Sequence, residues 1–410
     1  MKIALVNPPS PFLIDERVFL PLGILYIASV LREKGHDVRF YDLARMRDWE
    51  QVVGSIRAEA LCVTGTTPHF PYLAGIARIG KKNIRRMIAG GPHATIDPQS
   101  LVDVGYDSVV VHEGEDVIEE ALFTNDSVVQ GTIVENLETL PLPARDLVDV
   151  ESYNFVIEGR RAIHAVFTRG CPFSCGFCCN VARRVKFRNV DSCIAELADI
   201  TSKFGIDRFM FFDDTFTLNR RWLTEFCGKI ATLNVKWRCF VRANAVNLES
   251  LKMMKEAGCS ELGVGVESGS QQILDIMNKK TRVDDNTRCR ELCRKVGILF
   301  KAFIIIGCPG ETLETFQKTR SWLLKNRPDK YSIFVFTPYP GTPFFKDKAK
   351  FDYQLTEEYD YGRLWWGGIM ADQISVSRTT ALSAERICAL RNDLLREMKE
   401  KGLDDQNNIL

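Results

Sequence analysis

Cys171, Cys175 and Cys178 form a C-x3-C-x2-C array in the segment Arg169-Gly-Cys-Pro-Phe-Ser-Cys-Gly-Phe-Cys-Cys-Asn180. Three thiolates on one short loop can hold three irons of a cubane cluster and leave the fourth iron open to a ligand. Gly170, Pro172 and Gly176 keep such a loop irregular, as wrapping a cluster requires. A zinc knuckle wants a fourth His or Cys, and only the adjacent Cys179 offers itself. Buried free thiols are the third reading, and the spacing favours iron and sulfur over both. The chain has thirteen cysteines, of which Cys62 alone lies in the first 170 residues. The opening MKIALVNPP passes straight into a strand with no secretory signal, so these cysteines read as thiols or metal ligands of a cytoplasmic protein.

The elements that position this loop follow from hydrophobic periodicity. The 410 residues suit two or three domains, and 45% hydrophobic with 26% charged content is ordinary for globular chains. Lys and Arg number 54 against 53 Asp and Glu, a formal net charge of +1, which excludes a nucleic-acid binder that works through a broad basic field. The longest apolar runs, such as Phe303 to Ile306, are strand-length and predict no membrane span. Up to about residue 130, candidate strands at Lys2–Val6, Asp37–Tyr41, Ala60–Thr64, Arg86–Ala89 and Ser108–Val111 alternate with amphipathic helices. One such helix is Leu22 to Lys34, closed by Gly35. This pattern predicts a doubly wound parallel sheet, with ligands beyond the carboxyl ends of its strands. Those ends carry Asn7-Pro8-Pro9, Thr64-Gly65-Thr66-Thr67, Gly90-Gly91-Pro92-His93 and His112-Glu113-Gly114-Glu115.

Pro141 and Pro143 predict a linker over 132–160. Six further strands are expected at Ala162–Thr168, Arg208–Phe212, Lys236–Val241, Glu261–Val266, Lys301–Ile306 and Lys330–Thr337, a partial, open α/β barrel. The last 60 residues hold an aromatic stretch, Tyr359 to Trp366, expected to pack on the barrel, then a charged helix from Ser383 to about Lys401 and a solvated tail.

In order along the chain these features resemble the radical S-adenosylmethionine enzymes. Phe177 stands at the aromatic position before the third cysteine. Phe211-Phe-Asp-Asp-Thr-Phe-Thr217 is similar to the second-strand motif, Gly265-Val-Glu-Ser-Gly269 to the fourth, and Phe303-Ile-Ile-Ile-Gly-Cys-Pro-Gly-Glu311 to the fifth. Thr337-Pro-Tyr-Pro-Gly-Thr342 matches the close of the sixth. Gly90-Gly-Pro-His-Ala-Thr95 and Glu113-Gly-Glu115 resemble the cobalamin-binding domain that precedes the barrel in one large subfamily. The resemblance implies a flavodoxin-like (Rossmann-like) cobalamin-binding domain over 1–131, the 132–160 linker, a partial (β/α)6 barrel with a [4Fe-4S] cluster over 161–346, and a helical cap over 347–410.

The resemblance implies roles residue by residue. Cys171, Cys175 and Cys178 would ligate the cluster. Asp213 or Asp214 would meet the ammonium of S-adenosylmethionine, the other serving a turn. Glu267, with space opened by Gly265 and Gly269, would take the ribose hydroxyls or else form a salt bridge. Arg242 and Asn244 would reach carboxylate or ribose, or close the barrel mouth. Gly307, Pro309 and Gly310 would set a backbone edge against adenine. Pro8, Thr66, Thr67, His69, Gly90, Gly91, His93, Glu113 and Gly114 would line cobalamin, with Glu113 and Glu115 taking corrin amides or capping a helix. No D-x-H-x-x-G motif supplies an axial histidine. His69 is the residue placed to face cobalt, though a lone histidine is more often structural. The implied reaction is methylation: a 5′-deoxyadenosyl radical removes substrate hydrogen and methylcobalamin donates the methyl group. Alternatives are a non-methylating ring formation, rearrangement or oxidation, or an iron–sulfur or corrinoid carrier without catalysis. A small-molecule or peptide substrate and a flavodoxin or ferredoxin donor are the implied partners.

Overall fold

The computed structural model describes residues 1–179, 182–364 and 375–403. It divides into two units: Met1–Asn154 with a short return segment at Tyr361, and Phe155–Asp360 with the C-terminal helix Ala384–Glu400.

The first unit holds β1 (Lys2–Asn7), β2 (Asp37–Asp42), β3 (Ala60–Thr64), β4 (Arg86–Gly90), β5 (Ser108–Val111) and β6 (Val128–Gln130). All six are parallel, in the order β2-β1-β3-β4-β5-β6, so the winding reverses between β1 and β3. Helices cover both faces, which is why neighbouring residues of β1 are all apolar. Ile3 and Leu5 join one core with Ile24, Leu31 and Ile118. Ala4 and Val6 join the other with Val53, Leu73 and Leu101. Helix Leu22–Glu33 buries Leu25, Ala28 and Leu31 completely and closes at left-handed Gly35 (φ 81°), as its sequence predicts. Residues 132–154 are not a free linker. Ser29 Oγ donates to the Leu142 carbonyl (2.6 Å), Ala144 N–H to that of Leu25 (3.1 Å), and Tyr153 hydroxyl to Asp42 (2.9 Å). The prolines there mark irregular backbone, which still packs.

The second unit is a six-stranded parallel sheet with strictly consecutive neighbours: β7 (Ile163–Ala165), β8 (Arg208–Phe211), β9 (Lys236–Val241), β10 (Cys259–Glu267), β11 (Leu299–Ile306) and β12 (Lys330–Val335). β7 is shorter than Ala162–Thr168 because Thr168 and Arg169 turn away to pair antiparallel with Lys186 and Phe187, forming a neck under the cysteine loop. One face of the sheet packs on helices through Phe211, Phe226, Trp237 and Phe216, all fully buried. The C-terminal helix buries Ile387 and Leu394 and ties Arg391 Nε to the Ile333 carbonyl (3.0 Å). Tyr359 packs within this unit, its hydroxyl on the Pro338 carbonyl (3.3 Å), whereas Tyr361 belongs to the first. Trp365 and Trp366 lie outside the described residues. Lys401 to Leu403 are not a loose tail: Tyr331 hydroxyl donates to the Leu403 carbonyl (2.9 Å). No described helix is long and apolar enough to cross a membrane.

Candidate active site and cofactor-binding edges

The cysteine loop is fastened from three sides. Cys171 N–H donates to Ala182 carbonyl (2.9 Å), above left-handed Gly170 (φ 95°). Gly176 N–H donates to Met277 carbonyl (2.7 Å), and its own carbonyl accepts from Phe344 N–H (2.8 Å). A Cβ at Gly176 would lie 2.5 Å from the Phe344 ring, so only glycine fits. Asn278 Nδ2 holds the Ser174 carbonyl (2.8 Å).

The donor set fits an iron–sulfur cluster better than zinc. Among the described residues no three His, Cys, Asp or Glu side chains converge on one ion. Three sulfurs bound to three different irons need not do so. Cys179, the required fourth zinc ligand, instead donates its S–H to the Pro340 carbonyl (3.2 Å). Cations complement the negative charge that thiolates bring. Arg242 Nη1 donates to Cys175 Sγ (3.6 Å) while its guanidinium stacks 3.6 Å from the Phe173 ring centroid. Lys279 Nζ lies 5.7 Å from the centroid of Phe177. Desolvation, then the neighbouring Cys175, Asp214, Cys179 and Cys171, pushes the Cys178 thiol up to about 12. A thiolate here therefore depends on metal or on such cations.

The expected residues at the strand ends divide. Asp214 is exposed beside the cysteines, its carboxyl raised by desolvation. Asp213 is fully buried, with Oδ1 accepting from the N–H groups of Phe167 (3.1 Å) and Thr168. It is the turn-former of the pair, holding the neck of the cysteine loop. Arg242 grips Cys175 and the Lys279 carbonyl, and Asn244 donates to the Lys280 carbonyl (2.9 Å). Both close the barrel mouth. Glu267, left-handed (φ 61°) at a register shift, forms a buried ion pair with Lys279 (2.6 Å). The space left by Gly265 is filled by this pair: a Cβ there would meet Glu267 Oε1 at 2.4 Å and Lys279 Nζ at 2.7 Å. Gly307 and Gly310 are left-handed (φ 82° and 76°), but Cβ atoms would strike Ile387 and Ile276 respectively. Pro309 between them is buried. This turn packs under the C-terminal helix, with Glu311 accepting the Gly307 N–H.

Burial raises the Asp213 carboxyl to about 7 from an ordinary 3.8, and Glu311 to about 7 from 4.5. Folded values above unfolded ones mean full stabilisation below about pH 4 and erosion as pH rises toward 7. Asp213→Asn is expected to flatten the loss of urea stability between pH 4.5 and 8 by up to about 3 kcal/mol. An unchanged pH slope in that variant would rule this out.

In the first unit, the β1/β3 reversal places Pro8, which is buried, opposite the Thr66–His69 turn. Gly91 is left-handed (φ 91°), and a Cβ would sit 2.3 Å from Thr64 Oγ1. Gly90 has nothing nearer than 3.8 Å, leaving an approachable backbone edge. Gly114 packs near Val110 and Ile27, and Glu113 accepts from Val134 N–H (2.5 Å). Thr66 is exposed and Thr67 buried. His69 has both ring nitrogens engaged, Nδ1 with Thr66 (N–H 3.0 Å, Oγ1 2.7 Å) and Nε2 with Ser10 Oγ (2.8 Å). His93 is fully buried, with Nδ1 near Thr67 Oγ1 (3.4 Å) and Nε2 near Ser100 Oγ (3.1 Å). Burial lowers both to about 4 and keeps them neutral. A flat ring system fits this glycine-edged switch point, but His69 has no spare nitrogen for a metal below it.

The chain is 30% identical over 382 residues to an uncharacterized methyltransferase of Pyrococcus horikoshii, covering 83% of this chain and 82% of that one. Residues 165–323 match the Radical SAM superfamily and residues 16–122 the B12 binding domain. The chain belongs to the cobalamin-binding radical S-adenosylmethionine family. A second relative in this family is the anaerobic magnesium-protoporphyrin IX monomethyl ester cyclase of Cereibacter sphaeroides, 25% identical over 384 residues, 84% of this chain and 62% of that one. The fold matches the radical S-adenosylmethionine methyltransferase TsrM from Kitasatospora setae, solved with cobalamin and a [4Fe-4S] cluster. The TM-score is 0.72 at 17% identity, over 99% of this chain and 90% of that one.

Within this family frame the structure adds residues that sequence reasoning missed. Lys279, in the surface-like run Asn278-Lys279-Lys280, is buried against Glu267, and Tyr361, from the aromatic stretch expected to pack on the barrel, instead closes an aromatic triad with Phe70 and His93 of the first unit. Neither set of partners had a local signal, because each is met through the fold.

Proposed function

We propose that this chain is a cobalamin-dependent radical S-adenosylmethionine methyltransferase acting on an unactivated carbon. The observation that carries the proposal is the cysteine loop: Cys171, Cys175 and Cys178 stand on one anchored loop, Cys179 is tied to Pro340, and Arg242 donates to Cys175. The names borne by the Pyrococcus and Kitasatospora proteins support methyl transfer as the outcome. When bound, the cluster, S-adenosylmethionine and cobalamin supply electron delivery, hydrogen abstraction and the methyl group. The chain's part is orientation. Cys171, Cys175 and Cys178 hold the cluster. Asp214 beside them offers a carboxylate to an ammonium. Arg242 and Lys279 stabilise the added negative charge, and the Gly90–Gly91 edge takes the corrin. A flavodoxin or ferredoxin in the cytoplasm would donate the electron.

The test is anaerobic incubation with reductant, cobalamin and methyl-deuterated S-adenosylmethionine. Expected are 5′-deoxyadenosine, S-adenosylhomocysteine and label transferred to cobalamin. Formation of 5′-deoxyadenosine with no S-adenosylhomocysteine would replace methylation by the ring-forming reading that the cyclase relative favours.

A further inference from the structure

The two faces of the barrel sheet carry two different sets of aromatic rings. On the helix side, Phe211, Phe226 and Trp237 are fully buried. On the other side a continuous belt runs across five strands. Ring centroids lie 5.1 Å apart for His164 and Phe212, 5.6 Å for Phe212 and Phe240, 5.7 Å for Phe240 and Phe303, and 6.2 Å for Phe303 and Phe334. Strand alternation puts these rings on the inner, concave side. Apart from strand starts, the half-exposed positions of the barrel strands are Phe240, Gly265, Phe303, Ile305 and Phe334, with Phe212 directly after its strand. Accessibility inside the barrel is thus confined to an apolar belt.

Two features define what would fill it. Gly263 lies under the belt, where a Cβ would come within 2.7 Å of Phe240 and 2.9 Å of Phe303, so only glycine lets these two rings, tilted 60° to each other, meet across the strand. Beneath, the charged groups are mostly cationic: Glu261 pairs with Arg238 (3.1 Å) and with Lys330 (2.6 Å), and the buried Lys301 Nζ lies 5.5 Å from the centroid of the Phe303 ring. A cationic ligand would lose its hydration at the belt and meet like charges beneath it. A flat apolar ring would gain offset and edge-on contacts with four phenyl groups. The belt lies one step below the strand ends that carry Asp214, Arg242 and Glu267.

We infer that the barrel lumen binds the substrate, and that this substrate is a hydrophobic, non-cationic molecule bearing a flat ring system. This rests on the reading that radical chemistry occurs at the barrel mouth. It goes beyond that reading in naming the substrate class.

The test uses the full chain with its cluster and the neutral fluorophore N-phenyl-1-naphthylamine. Saturable, blue-shifted fluorescence is expected. Phenanthrene should displace the probe, and adenosine monophosphate should not. Combined Phe240→Leu and Phe303→Leu should weaken probe affinity about tenfold. Phe226→Leu, in the helix Arg220–Ile230 that packs on the opposite face, should leave probe affinity as in the unaltered chain. Non-saturable fluorescence, displacement by the nucleotide but not by phenanthrene, or equal losses in the two sets of variants would overturn the proposal. Should the leucine pair fail to fold, displacement on the unaltered chain still decides. Reductive formation of 5′-deoxyadenosine by the unaltered chain is scored separately: its absence with intact probe binding refutes the radical reading and not the lumen.

Discussion

A Cys175→Ser chain, incubated anaerobically with S-adenosylmethionine and reductant, is expected to form no 5′-deoxyadenosine above the enzyme-free background. Cys171→Ser and Cys178→Ser should do the same. Each sulfur is assigned its own iron, so no partner on the loop shares its task. Rescue by the neighbouring thiol is blocked, because Cys179 donates to Pro340 at 3.2 Å and points away. Cys175 carries the further burden of accepting from Arg242, and losing its sulfur removes one of the two acceptors of that buried guanidinium, leaving the Lys279 carbonyl. Cys179→Ser is the matched control and should retain cleavage. Iron per chain, measured alongside nucleoside product, separates cluster loss from a misplaced cofactor. Full cleavage by any of the three serine variants would refute the ligand assignment.

The second large effect concerns Lys279. Lys279→Met removes the ammonium 2.6 Å from Glu267 and leaves a carboxylate buried at a left-handed backbone position. Breaking a buried pair from one side costs about 3–5 kcal/mol, most of it the desolvated charge left behind. Urea unfolding should show that loss, and adding Glu267→Gln should restore most of it. If the double variant is no more stable than Lys279→Met, the pair is not what holds this corner. Iron content should fall as well, since Met277, Asn278 and the Lys279 carbonyl anchor the cysteine loop and Arg242.

Much of this was legible in the sequence because local rules and tertiary demands agree. β3 and β5 span the same residues as the apolar runs that predicted them, since parallel strands covered on both faces must be apolar throughout, and β9 matches its predicted span through the alternation of Trp237, Cys239 and Val241 on the face that packs against helices. The cysteine array was legible because ligand spacing is a local property. What stayed hidden depends on partners distant in sequence. Glu267 looked free to meet a ribose because its partner stands twelve residues on in a lysine pair that reads as a surface turn. Arg242 suggested a cofactor carboxylate, and only the fold brings Cys175, 67 residues earlier, to its guanidinium. His69 suggested a metal ligand until Ser10, from 59 residues earlier, took its Nε2. Pro141 and Pro143 spoke truly about regular structure but carried no information about the Leu142 carbonyl docking on Ser29.

The anchoring of Gly176 by Phe344 has a consequence for biogenesis. Phe344 lies 168 residues beyond Gly176, so the cysteine loop leaves the ribosome well before its last clasp exists. At 5–20 residues per second the interval is about 8 to 34 s. Throughout it the three thiols are exposed without the glycine–phenylalanine clasp, and metal delivered then would meet an unshaped loop. Stable cluster insertion is therefore expected only after Phe344, nine residues beyond the sixth barrel strand, has been added. A chain ending at Lys330, which keeps every cysteine ligand, should retain far less iron after reconstitution than the full chain. Equal loading of the two would place assembly before folding.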